Sequence, residues 1–279
     1  MDTEEHIKYP GSAEELKPRL APGWRIPLTI IGVLGFVACG IPVALALDAA
    51  GMPQTPQRLI VTASMAAAGT AVAYLLWRYI DRRPWKDLWP STGRTAPLHL
   101  LAGTALAIGV MLLAKATTVT VGVSDWTAPR FGDGLNPAMS MALLLIGILL
   151  GQAFPEELLW RGYLYTSLRR QWTQWASVVA VSAGFGVMHL LSMPSADLTI
   201  KVRLLYALMA IGMGFALASC RVLTGTIWLG VGFHAGHNLT NNLVISNGSQ
   251  SMIALLNFAV LAVFGVVMLS LSRRLRRNR

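Results

Sequence analysis

The chain alternates between long apolar segments and short polar ones. A helix that crosses a membrane needs about 20 apolar residues. Eight segments meet this requirement, at residues 26–47, 59–80, 96–118, 138–168, 174–194, 203–222, 225–245 and 252–272. The fourth segment is longer than a straight crossing requires, so we expect it to be tilted or to be broken near Pro155. The pattern therefore predicts an all-α, polytopic transmembrane helix bundle with about eight spans.

The composition agrees with a membrane protein. Of the 279 residues, 54% are hydrophobic and 13% are charged, whereas a soluble domain has about 25% charged residues. Residues 1–24 are polar and predict a flexible cytoplasmic tail, and residues 25–279 predict a single transmembrane domain. The net charge of +10 comes mostly from basic residues between or beyond the apolar segments. We therefore expect the lipid bilayer as the surroundings of this protein, and no nucleic-acid partner.

The same basic residues predict an orientation. If the spans alternate in direction, residues 81–94, Arg169, Arg170, Arg221 and residues 273–279 all lie on one side of the membrane. Lysine and arginine are enriched in cytoplasmic loops. Both termini are therefore predicted to face the cytoplasm, in a bacterial or archaeal plasma membrane.

A few ionisable residues interrupt the apolar spans. Glu156 and Glu157 are the only acidic residues inside a predicted span, and His189, His234 and His237 also lie within spans. Ionisable groups inside a membrane are costly and commonly mark functional sites. With a helical rise of about 1.5 Å per residue, Glu156, His189 and His234 lie about 20, 22 and 14 Å above the cytoplasmic side. Three separate spans are thus predicted to bring polar groups to a similar depth.

The spacing of residues around the two glutamates predicts different roles for them. Glu157 and Arg161 are separated by four positions, so they share a helix face and can form an ion pair. Glu156 is rotated by about 100° around the helix from Glu157, so it is not needed for this ion pair and can act on a substrate.

The histidine spans contain two further spacings of one helical turn. His234 and Asn238 can present an imidazole and an amide to the same place. Phe185 precedes His189 by one turn and is expected to form a wall beside it.

These side chains are of the types that an amide hydrolase uses to activate water and to stabilise an oxyanion. A carboxylate and an imidazole at one depth can activate a water molecule, with Glu156 as general base. A second histidine and an amide can donate hydrogen bonds to the oxyanion that forms when a carbonyl is attacked. A nucleophilic serine in a GxSxG motif is absent from the sequence, and Cys39 and Cys220 lie outside these motifs, which gives a covalent route little support.

Several alternatives remain at the level of the sequence. Glu156, His189 and His234 are also a plausible set of zinc ligands, although the HExxH motif is absent, and His237 keeps a metal site open. Buried glutamate and histidine residues also carry protons in transporters and proton relays, but the chain has no visible internal repeat. A non-catalytic scaffold that binds partner helices is the third alternative.

The order of the three motifs resembles that of a known family. The segments EELLWR (156–161), FGVMH (185–189) and HAGHN (234–238) match the patterns EExxxR, FxxxH and HxxxN. In this order they resemble the CAAX protease and bacteriocin-processing (CPBP, or Abi) family of intramembrane peptidases. The resemblance covers roughly residues 140–245.

The resemblance implies a fold, an activity and roles for these residues. Members of the family are all-α and cleave peptide bonds, in some cases near prenylated C-termini, so the expected partner is a peptide or protein substrate at the membrane. The resemblance implies that Glu156 activates water with His189, that His234 and Asn238 stabilise the oxyanion, and that Glu157 and Arg161 orient the site. Members have been described both as metalloproteases and as glutamate proteases. We favour the glutamate type without a cofactor, with zinc as the alternative.

Overall fold

A computed structural model describes residues 17–88, 93–127, 135–191 and 199–277. Within these ranges the helices are α1 (Arg25–Ala49), α2 (Gln54–Leu75), α3 (Thr95–Thr120), α4 (Pro137–Arg169), α5 (Gln174–Leu191), α6 (Ile200–Thr224), α7 (Trp228–Leu243) and α8 (Gln250–Arg277). They follow the eight predicted spans in order. The predicted all-α, polytopic helix bundle is therefore confirmed.

Most of these helices have the length and composition of membrane spans. In the described part of the chain, seven helices are long and apolar enough to cross a membrane. The exception among the eight predicted spans is α7, which has 16 residues and carries polar side chains in its second half. Because Val231, Phe233 and most of its other side chains are buried, α7 lies inside the bundle.

Helix α4 is the central helix, and it is continuous across Pro155. It consists of α-helical turns interrupted by two π-helical stretches, Gly147–Ala153 and Leu158–Leu164. Pro155 cannot donate an α-helical hydrogen bond, and the wider π turn directly before it accommodates this without a break. The predicted break near Pro155 is thus absent. Residues 155–165 are all buried, as expected for a helix that is surrounded by others.

Helices α3 and α7 pack closely because glycines face backbone atoms. A Cβ atom at Gly232 would overlap the carbonyl group of Leu100, and a Cβ atom at Gly236 would lie 2.6 Å from the carbonyl oxygen of Thr104. The hydroxyl of Thr104 also donates to the carbonyl oxygen of Gly232 at 3.2 Å. Gly232 and Gly236 therefore allow the two helix backbones to approach closely.

A buried ionic network near one end of the bundle connects α1 and α4 with the segment that follows α2. Nε of Arg25 lies 3.0 Å from the Asp81 carboxylate, and both side chains are buried. The hydroxyl of Ser167 donates to the same carboxylate. Arg19 N–H donates to the carbonyl oxygen of Ile80 at 2.8 Å. The end of the predicted flexible tail is therefore attached to the bundle, while residues 1–16 lie outside the described part of the chain.

A short β-ribbon lies at the end of the bundle where α3 and α7 end. Strands β1 (Ser124–Thr127) and β2 (Ile245–Gly248) are antiparallel, with Ser124 opposite Gly248. The ribbon joins the segment after α3 to the segment before α8.

The predicted orientation can be tested with one cysteine on each side of the membrane. Gln171, between α4 and α5, and Ser249, between β2 and α8, are both exposed. With Cys39 and Cys220 replaced by alanine, a membrane-impermeant maleimide applied to intact cells is expected to label Ser249→Cys but not Gln171→Cys, because the arginine-rich ends are predicted to be cytoplasmic. Labelling after cell lysis controls for reactivity. The reverse pattern would invert the orientation.

Candidate active site

The two glutamates on α4 are buried, but their contacts differ. Glu157 is fully buried, and its Oε1 accepts a hydrogen bond of 2.8 Å from Arg161 Nη1. The same oxygen lies 3.3 Å from Nδ1 of His234 on α7. Arg161 also donates from Nη2 to the carbonyl oxygen of Gly214 on α6 at 2.8 Å. Glu157 and Arg161 thus connect α4, α6 and α7. The sequence predicted the ion pair but not the contact of Glu157 with His234.

Glu156 has no fixed partner of this kind. Its side chain is 4% exposed, and its Oε2 atom accepts no hydrogen bond from any described residue. It lies close enough to His189 and Tyr206 to interact with them electrostatically. The carboxylate of Glu156 is therefore available to a ligand beside His189.

The ring of Phe185 on α5 contacts both histidines and the arginine of the site. Its centroid lies 4.5 Å from that of the His189 ring and 6.2 Å from that of the His234 ring. The guanidinium of Arg161 lies over the Phe185 ring at 4.9 Å from its centroid. An aromatic face attracts such a cation. Phe185 therefore separates the two histidines and contacts the arginine, in addition to lying beside His189 as predicted.

The hydrogen bonds of the two histidines indicate which ring nitrogens carry protons. Nδ1 of His189 lies 2.7 Å from the carbonyl oxygen of Phe185. Because a carbonyl only accepts, Nδ1 carries the proton, and Nε2 of a neutral His189 is an acceptor. Nδ1 of His234 likewise faces the Glu157 carboxylate, so Nε2 of His234 can donate only when the ring is charged.

Asn238 lies one helical turn beyond His234 on α7. Its Nδ2 donates to Oε1 of Gln152 on α4 at 3.0 Å, and its Oδ1 lies 3.2 Å from Nδ1 of His237. His237 is also in hydrogen-bonding distance of Asn241. Among these described contacts, Asn238 is joined to Gln152 and His237 and not to His234. One of the two N–H groups of the Asn238 amide remains for a substrate.

The candidate zinc ligands do not form a metal site in this structure. Among the described residues, no group of three or more His, Cys, Asp and Glu side chains is arranged to hold a metal ion. Glu156, His189 and His234 come from three helices. Nδ1 of each histidine has a protein partner, an arrangement that is also usual for histidines that bind a metal through Nε2, so these hydrogen bonds do not decide the question. We therefore derive no step that uses a metal. The dependence of the activity on metal stays a prediction for experiment.

Two residues near the site were not identified from the sequence. Gln152 precedes Glu156 by one turn, and an uncharged polar residue in an apolar span was a signal that could have been used. Tyr206 on α6 places its ring 5.6 Å from that of His189. A lone tyrosine in a membrane span gives no comparable signal.

The structure thus combines a membrane helix bundle with a buried set of glutamate and histidine side chains. Residues 138–240 match the model of the family described as "Type II CAAX prenyl endopeptidase Rce1-like". This segment is therefore similar to that peptidase family, which agrees with the resemblance of the three motifs to the CAAX protease and bacteriocin-processing family. The segment contains every candidate site residue named from the three motifs. A comparison with curated proteins gave no match. The seven long apolar helices are those of an integral membrane protein, and the segment that carries the motifs is similar to a family of peptidases.

Proposed function

We propose that this protein is an intramembrane endopeptidase that hydrolyses a peptide bond of a membrane-associated or prenylated substrate. The proposal is carried by the different surroundings of two neighbouring carboxylates. Glu157 is fixed by Arg161 and His234. Glu156 is buried without a fixed partner, close to His189. The first arrangement suits a structural ion, and the second suits a general base.

In the proposed reaction, Glu156 and His189 hold the attacking water. Nε2 of neutral His189 accepts a hydrogen bond from the water, and Glu156 removes the other proton as the oxygen attacks the carbonyl carbon. As the C–N bond breaks, the same proton passes from Glu156 to the leaving amine. No proton is lost or gained over the cycle, and the products are a carboxylic acid and an amine.

The oxyanion of the tetrahedral intermediate is stabilised by α7 in this mechanism. Nε2–H of charged His234 and an Nδ2–H of Asn238 are the donors. Glu157 positions the His234 ring through Nδ1. The Nδ2 atom of Asn238 also donates to Gln152 on α4, so one of its two N–H groups remains for the oxyanion.

Chelation tests the metal-free mechanism. Because Glu156 and His189 activate water without zinc in this proposal, purified protein is expected to keep its cleavage activity after exhaustive dialysis against a chelator. The measurement is single-turnover cleavage before and after chelation, together with metal content by mass spectrometry. Activity that is lost on chelation and returns with one equivalent of zinc would establish a metallopeptidase.

The function itself is tested in cells that carry either the wild-type protein or Glu156→Ala. Quantitative proteomics of the membrane fraction is expected to show full-length precursors that accumulate in the variant and fragments that appear only with the wild type. A parallel measurement of proton flux in liposomes is expected to show no difference from empty liposomes. A proton flux that requires Glu156, without any change in peptide fragments, would replace the peptidase with a proton relay.

A further inference from the structure

The end of α8 combines exposed arginines with an exposed apolar stripe. Four of the last five residues of this helix are arginines with exposed side chains, namely Arg273, Arg274, Arg276 and Arg277. The apolar stripe consists of Val267, Leu271 and Leu275, which are four residues apart and therefore share one face of the helix. All three are exposed, and Leu275, between the arginines, is 56% exposed. Because the stripe continues in among the arginines, this part of α8 has the composition of a helix that leaves the hydrocarbon layer and enters the headgroup region.

Trp175 supports Arg273 at the start of α5. The guanidinium of Arg273 lies over the Trp175 ring at 5.2 Å from its centroid, and an aromatic face attracts such a cation. Trp175 lies in the first turn of α5 and is 44% exposed. Tryptophan is enriched at the boundary between the hydrocarbon layer and the headgroups. Arg273 is therefore held at the depth where the phosphates of lipid headgroups lie.

Two hydrogen bonds fix the end of α8 to the end of α6. The hydroxyl of Ser272 donates to the carbonyl oxygen of Val222 at 3.4 Å, and Nη2 of Arg276 donates to the same oxygen at 3.5 Å. The arginines of α8 and Trp175 thus form one surface where α5 begins and where α6 and α8 end. We refer to this surface as the basic surface, and it consists of Trp175, Arg273, Arg274, Arg276 and Arg277.

Carboxylates of the described chain do not neutralise the basic surface. Among the described residues, none of the arginines at the end of α8 is paired with an Asp or Glu side chain. From residue 158 onwards the sequence contains a single acidic residue, Asp197, which precedes α6, whereas the basic surface adjoins the C-terminal end of α6. Neighbouring cations repel one another, so anions from outside the chain would stabilise this arrangement.

We propose that the basic surface is a binding site for the headgroups of anionic phospholipids. The planar guanidinium groups donate charge-assisted hydrogen bonds to phosphate oxygens, and the acyl chains lie along Val267, Leu271 and Leu275. This apolar stripe favours a lipid over a free phosphate ion, because a free ion would contact the arginines but not the stripe. Basic clusters directly after a membrane span attract anionic lipids in this way. Lipid binding at the basic surface is independent of the proposed peptidase function.

The binding experiment uses the full-length protein in detergent after removal of its native lipids. Native mass spectrometry measures the binding of phosphatidylglycerol, which is anionic, and of phosphatidylcholine, which has the same acyl chains but no net charge. Phosphatidylglycerol is expected to bind at least about tenfold more tightly. An equal affinity for the two lipids would overturn the proposal. Displacement of phosphatidylglycerol by an equal concentration of inorganic phosphate would also overturn it, because the surface would then bind the free ion.

Substitutions test whether the basic surface is responsible for this binding. Arg273→Gln/Arg276→Gln is expected to weaken phosphatidylglycerol binding by about thirtyfold, since each arginine near an anionic headgroup contributes roughly fivefold. Trp175→Leu changes no charge and is expected to weaken it by about twofold to fivefold, because Arg273 loses its aromatic support. The matched controls are Lys201→Gln and Trp126→Leu, which remove an exposed lysine at the start of α6 and an exposed tryptophan of β1.

The controls are expected to bind phosphatidylglycerol as the wild type does. Unchanged binding in the double variant, or an equal loss in the controls, would place the lipid elsewhere. Unchanged binding in Trp175→Leu would show attraction by charge alone and would likewise overturn the proposed site.

Melting temperatures distinguish a loss of lipid binding from a loss of folding. Phosphatidylglycerol is expected to raise the melting temperature of the wild type, because a ligand that binds the folded state stabilises it, and to raise that of the double variant much less. Arg274→Gln/Arg277→Gln leaves the contact between Arg276 and Val222 intact and is expected to weaken lipid binding without changing the melting temperature in the absence of lipid. An undiminished effect of phosphatidylglycerol on both double variants would refute the basic surface as its binding site.

Discussion

Glu156→Gln is expected to lower single-turnover cleavage by about 10²- to 10⁴-fold, the usual contribution of a general base. Glutamine has nearly the same size as glutamate but cannot accept the proton from water. The variant is expected to remain folded, since Oε2 of Glu156 makes no hydrogen bond to any described residue. The measurements are cleavage in detergent and the melting temperature of the same preparation. Near-normal cleavage would show that Glu156 is not the base.

Glu157→Gln is expected to lower stability as well as activity. Arg161 is fully buried, and removal of its carboxylate partner leaves an unpaired charge. Breaking such a pair costs about 3–5 kcal/mol. The expected result is a clear decrease in melting temperature, together with slower cleavage because His234 loses the carboxylate that positions it.

The double variant Glu157→Gln/Arg161→Met separates these two effects. It removes both buried charges, so a substantial part of the stability is expected to return. Activity is expected to stay low, because the contact between Glu157 and His234 is still missing. Recovery of cleavage together with stability would show that this contact is unimportant. Loss of cleavage in Glu157→Gln with no loss of stability would show that the roles of the two glutamates are reversed.

The sequence predicted the helices because a membrane leaves the backbone few alternatives. Every polar backbone group in the hydrocarbon layer needs an internal partner, and a long apolar segment satisfies this as a helix. The motif residues were found for a related reason. Glutamate and histidine are rare in such segments, so Glu156, His189 and His234 were conspicuous against an apolar background.

What the sequence could not predict depends on contacts between distant segments. His234 is 77 positions from Glu157, and no local spacing indicates that they meet. The π-helical stretches around Pro155 change which side chains share a face, and a pattern that assumes 3.6 residues per turn does not detect them. The β-ribbon also arises from the packing of distant segments against one another.

The contact between α3 and α7 limits how segments can be exchanged between relatives of this protein. All the motif residues lie within residues 138–240, yet α7 has its closest neighbour outside that stretch. Its backbone lies against that of α3 at Gly103, where a Cβ atom would lie 2.7 Å from the amide nitrogen of Phe233. A chimaera that took residues 138–240 from this chain and α3 from another would require a glycine at the position equivalent to 103. The motif segment and α3 are therefore matched to each other in this chain, even though only one of them carries the recognisable sequence.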